Sequence, residues 1–104
     1  DEDNQNLEQK AWAYYYRALI ANALTHWDDS LDYFETAVNL DPFNSLIRKG
    51  AVDYLLTRGH AGDREIALGM ALRGVQYNVE PDVFRKLSAQ LAQKLGVSDV
   101  SGGL

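Results

Sequence analysis

The sequence predicts an all-α domain of about five helices, and three observations lead there. No stretch alternates β-branched and polar residues as a half-buried strand would, and no Asn-Gly or Asp-Gly hairpin turn occurs. Apolar residues recur at three- and four-residue spacing almost from end to end. Proline and glycine then cut this pattern into pieces of helix length.

The first helix is expected from about Leu7 to Leu24, with Trp12, Tyr16, Leu19 and Ala23 along one face. Thr25 is placed to cap the second, with Asp28 at the acid position of a capping box. That helix runs to about Leu40, turning Leu31, Phe34, Ala37 and Val38 inward. Asp28 and Asp29 lie in its first turn, where the helix dipole favours negative charge. Asp41-Pro42-Phe43-Asn44 ends it, because proline breaks the hydrogen-bond ladder and restricts the residue before it.

A third helix follows over Ser45 to Arg58, with Gly59 as its left-handed terminator. Asp63 reads as the cap of a fourth, whose stripe is Ile66, Ala67, Met70, Ala71 and Val75. After Glu80-Pro81-Asp82 a fifth helix carries Phe84, Leu87, Leu91 and Leu95 to a stop at Gly96, and Val97 to Leu104 read as a tail or the start of a linker.

Composition excludes several functions. The 104 residues contain no cysteine, which removes disulfide scaffolds, thiolate metal sites and cysteine nucleophiles. The longest run free of acidic residues, basic residues and histidine, Ala18–Thr25, is far too short to span a membrane. Net charge is −5, unevenly spread: residues 1–44 set nine carboxylates against Lys10 and Arg17, a balance of −7, whereas residues 45–104 balance at +2. An acidic first half repels phosphate backbones, so nucleic acid is not expected as a partner. The chain opens on Asp1 rather than methionine, which suggests a processed chain or a piece of a longer one.

Two helical hairpins separated by a proline suggest a repeat, and residues 11–44 fit the 34-residue period of the tetratricopeptide family. Tyr14 stands at that family's first aromatic position, Arg17-Ala18 at its Leu-Gly, and Ala21 at its Tyr. In the second helix Ser30 and Phe34 give small-x-x-x-aromatic, followed by Ala37 and Pro42. Small residues at Ala18, Ser30 and Ala37 let antiparallel helices approach closely, with Tyr14 and Phe34 filling the space between. Arg17 departs from the pattern: either its stem packs while its head reaches water, or the helix is rotated. Residues 45–81 resemble a degenerate second repeat with Ala67, Ala71 and Gly74 at its packing positions, and a loop at Gly59–Gly62 longer than the family's.

The resemblance implies helical hairpins stacked in a short right-handed superhelix. Its parts would be an N-terminal extension and start of helix one (1–10), a first repeat (11–44), a degenerate second (45–81), a capping helix (82–96) and a flexible tail (97–104).

No active site assembles from the sequence. His26 and His60 are the only histidines, and neither has zinc-ligand spacing. Asp28 and Asp29 are adjacent on a helix and point about 100° apart, so they do not share a proton. Gly59-x-x-Gly62 lacks the Gly-Lys-Ser/Thr of a phosphate loop. No catalytic residue, metal or cofactor is expected.

The distinctive feature is aromatic: Trp12, Tyr14, Tyr15 and Tyr16 fall within five residues. With Tyr14 inside the hairpin, the resemblance turns Trp12, Tyr15, Tyr16 and Leu19 toward the concave groove where this family binds peptides. The alternative is that another helix covers them as core. The family's carboxylate-clamp positions read Tyr15 and Leu19 in the first repeat, and Lys49 and Asp53 in the second, which disfavours a clamp.

The expected function is a non-enzymatic adaptor, assembly factor or chaperone-like module that holds a protein or peptide partner. Its contact surface would be Trp12, Tyr15, Tyr16, Leu19 and Asn22, with Arg48, Lys49 and Asp53 on the neighbouring helix; the basic residues Arg48, Lys49 and Arg58 could steer an acidic segment, the alternative being a solvated face. A self-associating module, dimerising through apolar helix ends, and a regulatory domain of a larger enzyme are the alternatives. The composition suits cytoplasm or bacterial periplasm.

Overall fold

The computed structural model describes residues 2–97, and their side chains from residue 6 onward. The described residues form five helices and no strand: α1 (Glu2–Ala23), α2 (Trp27–Leu40), α3 (Ser45–Arg58), α4 (Asp63–Gln76) and α5 (Pro81–Leu95). The all-α expectation is met, and α1 starts earlier than expected, absorbing most of residues 1–10. The chain divides into two compact units, Asp1–Ile47 and Arg48–Leu104. Residues 98–104, most of the expected tail, lie outside the described residues.

In the first unit α1 and α2 pack as a hairpin. Its seam sets small side chains around one buried ring: Ala11, Ala18 and Ala21 on α1 are buried, as are Ser30, Phe34, Ala37 and Val38 on α2. Ser30 Oγ donates to the Ala18 carbonyl at 3.1 Å, so even the polar seam residue is satisfied. The expected α1 stripe through Tyr16 and Ala23 is displaced, because both residues are exposed. The buried face lies about one residue, or 100°, around the helix, where alanines permit the closest approach.

Tyr15 therefore meets Phe34, with centroids 5.9 Å apart, in the place expected for Tyr14. Tyr14 packs instead on Tyr33 at 6.0 Å, and the exposed Arg17 lays its guanidinium 4.9 Å above the Tyr14 ring.

The α1–α2 turn also differs from expectation. Thr25 is not the cap of α2 but a left-handed residue at φ 61°, and His26 holds the cap position with no side-chain capping bond. His26 N–H instead closes the end of α1 by donating to the Ala21 carbonyl at 2.9 Å. After Pro42, Asn44 caps α3: its Oδ1 accepts from Ile47 N–H at 3.0 Å, and its Nδ2 donates to Asp41 Oδ2 at 3.2 Å.

In the second unit Ala51, Val52 and Leu55 of α3 are buried, and Gly59 terminates the helix at φ 64° as expected. Asp63 does not cap α4. It is the first residue of that helix, after a left-handed Gly62, and it is buried in an ion pair with Arg58. The expected α4 stripe is observed: Ala67, Met70, Ala71 and Val75 are buried and Ile66 partly so.

Helix α5 packs on α4 around a cluster of Ala71, Val75, Val79 and Phe84, with Leu87 against it. The contact depends on Gly74. A Cβ there would stand 2.6 Å from Phe84 Cδ2, so glycine makes room for the ring. Pro81 opens α5, and Gly96 closes it at φ 71°.

Candidate functional site

Three of the expected contact residues form one aromatic cluster on α1. Trp12 meets Tyr15 edge-on at 5.6 Å and stacks on Tyr16 at 6.0 Å, while Tyr15 and Tyr16 meet at 6.0 Å. These i, i+3 and i, i+4 pairs follow from helical spacing, which sets such side chains over one another. The members differ in role. Tyr15 is rooted in the hairpin seam against Phe34, whereas Tyr16 is 57 % exposed. Trp12 and Leu19 are half-buried. A rigid, partly wetted ring held from beneath presents contact area at low entropic cost.

Asn22 continues this side of α1, one turn beyond Leu19. Its Oδ1 is closed to solvent and receives no hydrogen bond among the described residues.

The α3 members lie in the second unit. Lys49 and Asp53 are exposed, as a contact surface requires. Arg48 is not a surface residue: it is 1 % exposed, its Nη1 donates to the Met70 carbonyl at 3.0 Å, and its guanidinium lies 5.6 Å from the Tyr77 ring. Burial pushes its pKa down from the ordinary value, with Tyr77 opposing that shift and Arg73 adding to it. Arg58 likewise is withdrawn from a steering role by its bidentate pair with Asp63, at 2.8 and 3.0 Å. A long polar side chain on an amphipathic helix reads as surface, and only the packing shows otherwise.

One feature of the first unit was not foreseen. A groove of about 320 Å³ runs between α1 and α2, lined by Arg17, Ile20, Ala21 and Leu24 on one side and His26, Asp29 and Tyr33 on the other. Ile20 and Leu24 are 61 % and 58 % exposed. Its trace in the sequence is the spacing of residues 17, 20, 21 and 24, overshadowed by the denser aromatic run beside it.

Among the described residues no group of three or more histidine or acidic side chains could hold a metal, and no helix is long and apolar enough to cross a membrane. His26 and His60 are both exposed. Compared with family models, curated proteins and solved structures, the chain finds no match in any of the three.

Proposed function

We propose that this chain is a non-enzymatic protein–protein interaction module of tetratricopeptide type, an adaptor, assembly factor or chaperone-like domain that holds a partner peptide or helix against α1. The observation that carries this reading is the Trp12–Tyr15–Tyr16 cluster, rooted in the hairpin through Tyr15 and open to solvent at Tyr16. The close α1–α2 seam of Ala18, Ser30 and Ala37 supports the repeat-type hairpin that the spacing suggests. Contact by Tyr16 would leave that seam undisturbed, so binding and folding are separable.

The test is selection of peptides from a displayed random library by the full chain, followed by affinity measurement on Tyr16→Ala. The expected result is a selected peptide whose affinity falls about tenfold in the variant, as for a central aromatic contact, with helicity by circular dichroism unchanged. Equal binding by wild type and variant would overturn the reading, and so would failure to select any peptide.

A further inference from the structure

The α1–α2 hairpin carries a second surface, separate from the aromatic cluster, with its own chemistry. Most of the lining of the groove between the helices is apolar: Ile20, Ala21 and Leu24 from α1, and Tyr33 from α2. Two large aliphatic side chains more than half exposed, Ile20 and Leu24, line this one groove and so make a contiguous apolar surface of the kind that marks interaction sites.

The two charged residues at the groove are not equivalent. Arg17 already lies over the Tyr14 ring. Asp29 lines the groove, and its carboxylate makes no hydrogen bond or ion pair among the described residues. It belongs to a bank of carboxylates along α2, Asp28, Asp29, Asp32 and Glu35, all exposed. Residues 1–44 as a whole balance at −7.

We propose that this groove docks a basic amphipathic segment of a partner protein. One large apolar side chain of the segment seats between Ile20, Leu24 and Tyr33, while Lys or Arg residues beside it lie over Asp29 and the neighbouring carboxylates of α2. Charge decides the occupant. A second copy of this chain carries −5 overall, its hairpin is acidic, and residues 45–104 offer a balance of only +2, so it is a poor electrostatic match to these carboxylates. An acidic helix is repelled by them. A basic segment is drawn in by the field of the hairpin before it touches, and the apolar lining then holds it. Neither Tyr16 nor Trp12 lines the groove, so the proposal is independent of the aromatic surface.

The test uses the full chain and three fluorescein-labelled helical peptides: one of Leu and Lys in amphipathic order, one with Glu in place of Lys, and one with Ser in place of Leu. Fluorescence anisotropy is expected to show binding of the Leu/Lys peptide alone, weakening as salt is raised. Leu24→Ser should reduce that affinity about tenfold by removing apolar contact. Asp29→Asn should reduce it several-fold and flatten the salt dependence. Tyr16→Ala should leave it unchanged, which separates this site from the α1 aromatic face. Leu24 and Asp29 are both exposed, so these variants keep the fold, and circular dichroism checks this.

Equal binding of the Ser/Lys peptide would reduce the contact to charge adsorption and overturn the proposal. Binding of the Leu/Glu peptide would also overturn it, as would wild-type affinity in both groove variants. Self-association by light scattering that is abolished by Leu24→Ser, without peptide binding, would assign the groove to a second copy instead.

Discussion

Arg58 and Asp63 clasp the α3–α4 turn through two hydrogen bonds, Nε to Oδ2 at 2.8 Å and Nη2 to Oδ1 at 3.0 Å, with side chains 5 % and 3 % exposed. The His60 backbone N–H donates to the same Oδ2 at 2.9 Å, so one carboxylate serves the end of one helix, the loop and the start of the next. Breaking a buried pair strands the other charge. Asp63→Ala is expected to lower stability by about 3 kcal/mol in urea denaturation. Arg58→Met/Asp63→Ala should lose less than the two single variants added together. A loss for Asp63→Ala indistinguishable from zero would show that the clasp contributes only geometry.

Two glycines of α4 should respond oppositely to alanine. At Gly69 an added Cβ meets nothing within 4 Å, so helix propensity dominates and Gly69→Ala should raise stability by up to about 1 kcal/mol. At Gly74 the Cβ would stand 2.6 Å from Phe84 Cδ2 and 3.2 Å from Arg48 Cδ. Overpacking of that kind typically costs about 1–3 kcal/mol, which exceeds the propensity gain. Thermal unfolding of the two variants beside wild type checks the difference in sign.

Arg48 tests whether a buried guanidinium stabilises anything. Its Nε has no hydrogen-bond partner among the described residues, and burial depresses its pKa. Arg48→Met, which fills similar volume without charge, should remain within about 1 kcal/mol of wild type or exceed it. Arg48→Ala should lose about 2–4 kcal/mol through the cavity it leaves. For a base with a lowered folded-state pKa, stability rises with pH only between the folded and unfolded pKa values. Arginine stays protonated in both states well below them, so the Arg48→Met difference should be flat from about pH 5 to 9. A slope across that range would locate the titrating group elsewhere.

Thr25 holds φ 61° with a β-branched side chain, a conformation glycine adopts without strain. Thr25→Gly should stabilise the chain by about 0.5–1 kcal/mol once the added entropy of the unfolded state is counted. Chemical denaturation reads this directly. A loss of stability would mean that the hydroxyl or methyl makes a contact outweighing the strain.

The helix ends were largely legible because their causes are local. Pro42, Gly59, Pro81 and Gly96 each act through their own backbone geometry, and α2 and α3 stop at Leu40 and Arg58 as expected. Facing was harder. Helix α1 offers two stripes, one of bulky residues through Trp12 and Tyr16 and one of alanines through Ala11 and Ala18, and hydrophobicity alone favours the first. Close helix packing selects the second, which transfers the seam aromatic from Tyr14 to Tyr15. The same limit governs the polar residues. Asp63 has the position of a cap and Arg48 that of a surface cation, and both are buried because their partners lie on another helix, Arg58 across the α3–α4 turn and Met70 twenty-two residues away. Asn44 is the converse: its cap depends on three residues of local chain, and its place before Ser45 marks the start of α3.

The Ser30–Ala18 hydrogen bond acts as a detent. Smooth alanine faces allow two helices to slide along each other with little change in contact. A hydroxyl seated on one particular carbonyl resists this, since a slide of half a turn would leave Ser30 Oγ buried away from any acceptor. The hairpin thus has a marked axial position as well as a close fit. Every residue that depends on that position inherits it, from the Tyr15–Phe34 contact to the alignment of Leu24 with Asp29 across the groove.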